Sequence, residues 1–99
     1  IAIVDFNKVA QDNITKDLKD IEPLEAKWDS FGWDVHRIDG HNMNEIIKVL
    51  QLPAHAVKPR VIIADTIKGK GVSFMEGQTA WHGVAPSKED YEKALKELE

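Results

Sequence analysis

Val61-Ile62-Ile63-Ala64-Asp65-Thr66 is the stretch on which the fold turns. Four apolar residues followed by a polar stop have the length and composition of a strand suited to the interior of a parallel sheet. Working back toward the amino terminus, Ile1-Ala2-Ile3-Val4, ended by Asp5 and Asn7, has the same character and predicts a strand buried on both faces. Between these runs, Trp33, Val35 and Ile38 suit a third, shorter strand closed by Asp39-Gly40. Helical patterns separate the strands. Pro23 sits at a first helical turn, with Leu24, Trp28 and Phe31 as the inward stripe and Gly32 as a left-handed stop. Asn42 is placed to cap a second helix, with Glu45 as its capping-box partner and Met43, Ile46, Ile47 and Leu50 as the buried face. The order strand, helix, strand, helix, strand predicts an α/β fold: a parallel sheet with flanking helices and right-handed crossovers.

What remains is informative because it lacks a period. From Lys8 to Ile21 the chain carries Gln11, Asp12, Asn13 and Asp17 and reads as a long loop leaving the end of the first strand. From Ile67 to Pro86 it is rich in glycine and reads as a second long loop leaving the last strand. Ser87-Lys88-Glu89-Asp90 then starts a final helix with Tyr91, Ala94, Leu95 and Leu98 on one side. In open α/β sheets ligands bind outside the carboxyl ends of the strands. That rule nominates Asp5 to Asn13 and Lys68 to Gly83 as the ligand-facing segments.

Composition narrows the partners. A net charge of −4 with mixed Lys and Glu argues against nucleic acid, whose phosphates favour a concentrated basic face. With no cysteine, disulfides and thiolate metal sites are excluded, and a reducing compartment such as the cytoplasm is compatible. The apolar runs are far too short to cross a membrane as helices. The chain opens without Met, inside an apolar run, which suggests a piece of a longer polypeptide whose upstream part is missing.

Several short motifs, taken together, carry a family resemblance: Asp5-Phe6-Asn7-Lys8, Glu22-Pro23-Leu24 running to Lys27-Trp28, Phe31-Gly32-Trp33 and Asp39-Gly40-His41. They continue through Lys68-Gly69-Lys70-Gly71-Val72-Ser73-Phe74-Met75-Glu76 to Trp81-His82-Gly83. In this order and spacing the chain resembles the transketolases, nearest to the amino-terminal subunits of two-chain transketolases and to the animal type. The resemblance implies that residues 1–99 are the second half of a thiamine-diphosphate-binding domain. In the complete enzyme that domain takes part in moving a two-carbon ketol unit from a ketose phosphate to an aldose phosphate. It further implies thiamine diphosphate and Mg2+ as cofactors, sugar phosphates as substrates, a dimer with the active site between its protomers and, as partner, a pyrimidine-binding domain or subunit. The 99-residue chain alone is expected to be inactive.

Carried over residue by residue, the resemblance puts the Asn7 side chain and the Val9 carbonyl on Mg2+. The third protein ligand, an Asp in a Gly-Asp-Gly motif, would lie before Ile1. Gln11 falls beside the cofactor's thiazolium ring, and Lys68 near its phosphates. His82 lies by the diphosphate and the substrate, where an imidazole can exchange protons with a sugar hydroxyl. Without the resemblance, Asn7 reads as a turn residue bonded to nearby backbone, Gln11 as a solvated loop residue, Lys68 as a solvated cation and His82 as a surface histidine in a glycine-rich loop. Of the other histidines, His36 is expected to face outward from its strand, His41 to support a turn and His55 to lie in a connector. Trp28, Trp33 and Phe31 read as core. Two other readings stay open at this point: a related thiamine-diphosphate enzyme, such as deoxyxylulose-phosphate synthase or dihydroxyacetone synthase, and a non-catalytic α/β module.

Overall fold

The computed structural model describes residues 1–11 and 13–99. In chain order its elements are β1 (Ala2–Phe6), α1 (Thr15–Leu18), α2 (Leu24–Ser30), β2 (Asp34–Asp39), α3 (Met43–Leu50), β3 (Arg60–Asp65), a 3-10 turn (Thr79–Trp81) and α4 (Lys88–Leu98). They form two compact units.

The first unit comprises Ile1–Phe6 and Ile21–Thr66 and contains the whole sheet. Its three strands run parallel in the order β1-β3-β2. The most apolar strand is the central one. Val61 and Ile63 are fully buried and Ile62 nearly so, because only a strand with neighbours on both edges and helices on both faces can hide every side chain. One face packs Phe6, Val61 and Ile63 against Leu24 of α2, with Ala2, Val4, Ile21, Trp28, Trp33 and Val35 around them. On the opposite face Ile3, Ile62 and Ala64 approach Ile46, Val49 and Leu50 of α3 across an apolar cleft of about 250 Å³.

Local sequence explains where these helices begin and end. The Glu22 carboxylate accepts the Leu24 N–H at 2.6 Å and so caps α2 from the residue before Pro23. Gly32, at φ +81°, ends it in the left-handed conformation expected of a helix-terminal glycine. Asn42 caps α3 by accepting the Asn44 and Glu45 N–H groups. Glu45 does not complete a standard box; it reaches back past the cap to accept the N–H of Asp39 at 2.9 Å.

Burial departs from expectation in several places. β1 is an edge strand whose burial alternates, leaving Ile3 65% exposed, since one flank and part of one face have no neighbour within the described residues. Phe31 lies outside the core, 81% exposed, because α2 ends at Ser30 and Phe31 already belongs to the turn. On α3 the buried residue is Val49, with Ile46 half-buried, while Met43, Ile47 and Leu50 are exposed. His36 is half-buried rather than outward-facing, with Nε2 3.1 Å from Asp34.

The second unit comprises Asn7–Asp20 and Ile67–Glu99. It holds the short α1, which a four-residue span could not announce by periodicity, and α4. A reciprocal capping box starts α4: Ser87 Oγ accepts the Asp90 N–H at 3.1 Å, and the Asp90 carboxylate accepts the Ser87 N–H at 3.3 Å. Tyr91, Leu95 and Leu98 on this helix are exposed.

Candidate functional site

Asn7 follows the last residue of β1, and its amide turns back on the chain: Oδ1 accepts the Val9 N–H at 2.9 Å. This turn is possible because Lys8, between them, takes φ +63°, the left-handed region that non-glycine residues seldom occupy. An antiparallel bridge between Val9 and Ile14 closes the loop behind it. Its hydrogen bonds come from the flanking residues, Ala10 N–H to the Asn13 carbonyl at 2.7 Å and Thr15 N–H to the Lys8 carbonyl at 2.9 Å. Val9's own carbonyl is therefore not consumed by the bridge. The turn reading of Asn7 is realised, yet it does not exhaust the donor set. An amide oxygen has two lone pairs, one engaged by Val9, so the Asn7 oxygen and the Val9 carbonyl remain suitable ligands for a hard cation. Among the described residues no group of three His, Asp or Glu side chains could hold a metal. The two oxygens that the resemblance assigns to Mg2+ in this loop, Asn7 Oδ1 and the Val9 carbonyl, are both neutral. Gln11 is exposed in the same loop.

The second loop is a self-bonded structure. Lys68, half-buried, accepts the Gly77 N–H on its carbonyl at 2.9 Å. Gly69 must be glycine for two reasons: its φ is +73°, and a Cβ there would meet the Met75 carbonyl oxygen at 2.7 Å. Gly71 donates its N–H to the Glu76 carboxylate at 3.0 Å, and Lys70 pairs with the same carboxylate at 3.6 Å. The Trp81 indole donates to the Phe74 carbonyl at 3.2 Å, with the two rings edge to face at 5.7 Å. Glu97 of α4 accepts from both the backbone N–H and the hydroxyl of Ser73, the latter at 2.8 Å. His82 emerges from the 3-10 turn, its N–H bonded to the Thr79 carbonyl at 2.9 Å and its side chain exposed. Gly83 follows at φ +80°.

Asn7 and Val9 are thus joined in one turn, with Gln11 in the same loop and Lys68 and His82 at the two ends of the other. Both loops fall within the second compact unit. The points from which they depart are neighbours in the sheet, since Phe6 and Asp65, the last residues of β1 and β3, are register partners.

Other polar clusters escaped the sequence reading. Arg37 of β2 donates to both oxygens of Asp65 at 2.7 and 3.1 Å, to Glu22 at 2.9 Å and to Glu25 at 3.2 Å, with its guanidinium 5.3 Å from the centre of the Phe6 ring. The Asp65 bond, then the Glu22 bond, holds the guanidinium charged well beyond its ordinary range. In return the Arg37 hydrogen bond, aided by the Leu24 N–H, pulls the Glu22 carboxyl below its ordinary value. Arg60, almost fully buried, donates to Asp34 at 2.9 Å and to the Leu52 and Pro53 carbonyls at 3.0 and 2.6 Å. The Arg60 bond and then the His36 bond lower the Asp34 carboxyl. No local pattern could reveal partners so distant in sequence. A cleft of about 480 Å³ beside β2 and α3 is lined by His36, Arg37, Glu45 and Lys48 and by none of the expected site residues.

Residues 1–98 match the family model described as transketolase, thiamine diphosphate binding domain. The chain is similar to the 6-deoxy-6-sulfo-D-fructose transketolase subunit of Clostridium sp. (strain MSTE9), 45% identical over 100 residues, covering 100% of this chain and 36% of that protein. It is similar to an apulose-4-phosphate transketolase subunit of Actinobacillus succinogenes at 40% identity, covering 99% of this chain and 36% of that protein. With the transketolase of Rattus norvegicus it shares 31% identity over 99% of this chain and 15% of that protein. Among solved structures, the transketolase of Campylobacter jejuni matches with a TM-score of 0.85 at 31% identity, over 95% of this chain and 15% of that one. The chain therefore spans about a third of the length of the transketolase subunits it matches.

Proposed function

This chain belongs to the transketolase family, within its thiamine-diphosphate-binding domain, and from that premise we infer that it is the cofactor-facing second half of that domain in a cytoplasmic, Mg2+-dependent ketol transferase. Thiamine diphosphate, when bound, supplies the carbon that accepts and passes on the two-carbon unit. The residues of this chain hold it and handle protons. Asn7 Oδ1 and the Val9 carbonyl would hold the Mg2+, a role for hard oxygen donors that leaves room for phosphate and water. Both are neutral, so the negative charge around the ion would come from the diphosphate and from the Asp that the resemblance places before Ile1. Lys68 places a positive charge beside the phosphates. The Gln11 amide stands beside the thiazolium ring, where it can bond water or substrate. His82 bonds a sugar hydroxyl and exchanges its proton at an imidazole nitrogen, which can both donate and accept.

The observation that carries this reading is topological. The two loops leave the carboxyl ends of adjacent parallel strands at paired residues, the edge where open α/β sheets bind ligands. The substrates named for the relatives, a sulfo-sugar and a sugar phosphate, both carry an anionic group. A ketose phosphate donor and an aldose phosphate acceptor fit that pattern. A dimeric assembly and a pyrimidine-binding domain or subunit complete the site.

The test uses the complete, assembled enzyme with Asn7→Ala and His82→Ala. Asn7→Ala should raise the Mg2+ concentration needed to retain thiamine diphosphate. His82→Ala should keep the cofactor and lose on the order of a hundredfold in kcat, the scale of a lost acid-base group. Wild-type cofactor retention and turnover in both variants would remove the assignment.

A further inference from the structure

The β1–β3 ladder ends at Phe6 and Asp65, and just past it the Thr66 N–H reaches the Phe6 carbonyl at 3.3 Å. Each loop begins at the next step, with Asn7 one residue beyond Phe6 and Lys68 two beyond Thr66. At this point a side-chain bond also joins the two strands. The Thr66 hydroxyl donates to Asp5 Oδ1, a bond between residues 61 positions apart. The other branch of Thr66 is fixed as well: its methyl lies so close to Gly40, at the end of β2, that a Cβ on Gly40 would overlap it. Gly40 is itself held by its N–H bond to the Asp65 carbonyl at 2.7 Å.

Thr66 is thus a two-pronged residue, with methyl toward β2 and hydroxyl toward β1. A β-branched side chain has few χ1 choices, so seating one branch aims the other. Glycine at position 40 makes room for the methyl, and the carboxylate at position 5 receives the hydroxyl. Hydrogen bonds to charged acceptors are stronger than neutral ones.

We propose that Asp5 and Thr66 are positioning residues, a side-chain latch across the carboxyl ends of β1 and β3 that sets the spacing of the roots of the two cofactor loops. This rests on the assignment of Asn7, Val9 and Lys68 to the Mg2+ and diphosphate. Neither latch residue is among those assigned to the metal or the cofactor. Their effect is on how tightly the metal and phosphate ligands are preorganised.

The chemistry of Thr66 permits a clean dissection in the complete enzyme. Thr66→Val keeps the shape and the methyl against Gly40 but removes the donor, whereas Thr66→Ser keeps the donor. Thr66→Val should weaken thiamine diphosphate binding at fixed Mg2+ by roughly tenfold, the loss of one charge-assisted bond, and shift the Mg2+ requirement upward. The KM for sugar phosphate, measured at saturating cofactor, should stay unchanged, and Thr66→Ser should restore the binding. Should Thr66→Val fail to fold, Asp5→Asn, which keeps an acceptor, is compared with Asp5→Ala, with near-normal binding expected of the first only. Equal cofactor affinity and Mg2+ dependence in each donor-plus and donor-minus pair, or a loss of melting temperature alone, overturns the latch. Asn7→Ala is the control: if it weakens cofactor binding while Thr66→Val does not, the latch fails alone. If Asn7→Ala has no effect, the metal assignment fails and the latch with it.

Discussion

The two compact units are built on opposite principles. The sheet unit is held by apolar burial: three consecutive side chains of β3 are sealed, and Phe6, Leu24 and Val49 close around them. Where charges enter it, they come with partners, as with Arg60 on Asp34 and Arg37 on three carboxylates. The loop unit has one buried apolar residue among the described residues, Val72. It is held instead by polar satisfaction and backbone conformation: left-handed turns at Lys8, Gly69 and Gly71, and carboxylates that accept backbone N–H groups from Gly71 and Ser73. Hydrophobic burial resists deformation because filling space leaves few alternatives. A hydrogen-bonded loop, by contrast, can offer side chains to a ligand without hiding them. The segment proposed to carry the chemistry is therefore the one with the least core.

That contrast can be broken or sharpened by experiment. The largest effect should follow Ile63→Ala in the complete protein, since a fully buried side chain is deleted from the central strand. A loss of about 2 to 5 kcal/mol is expected, read as a drop in the denaturation midpoint with an unchanged denaturant slope. Gly69→Ala should cost less, about 1 to 3 kcal/mol, because a Cβ must adopt φ +73° against the Met75 carbonyl. Its signature should be local, with faster hydrogen exchange at Gly77 N–H, which bonds the Lys68 carbonyl, and unchanged exchange across β3. Equal loosening of β3 amides would mean that the two units do not differ as described.

The smallest effect is electrostatic. The folded-state pKa of Glu22 is depressed, chiefly by the Arg37 hydrogen bond. Its stabilisation is present above the unfolded value of 4.5 and is lost as pH falls through the lower folded value. Denaturation midpoints measured downward from about pH 5 should decline more steeply for the wild type than for Glu22→Gln. Parallel slopes would show that this pair contributes nothing, as many exposed ion pairs do.

Much of the sheet unit was legible in the sequence because each element announces itself locally. The apolar runs at Ile1 and Val61 and the Asn42 cap are readable from a few neighbouring residues, as is the Ser87–Asp90 box of the other unit. The exposure of Phe31, Met43, Ile47 and Leu50 was not, since periodicity says which side of a helix is apolar and cannot say whether anything covers it. The candidate site shows the same division. Asn7, Val9, Gln11, Lys68 and His82 were nominated by motif resemblance and by their place after strand ends, and the turn at Asn7 was readable from its residue type, whereas the left-handed Lys8 and the Thr66 hydroxyl on Asp5 depend on atoms that sequence spacing does not place.

By itself the sequence determined a parallel α/β arrangement, the Asn42 and Ser87 caps and the two loops that interrupt its periodicity, because these follow from interactions within a few residues. Only the tertiary structure decided that β3 lies between β1 and β2, that Arg37 gathers Glu22, Glu25 and Asp65, and that Gly40 must be small to admit Thr66. Those outcomes join residues far apart in the chain, whose pairing is settled by which surfaces remain to be buried once the local elements exist.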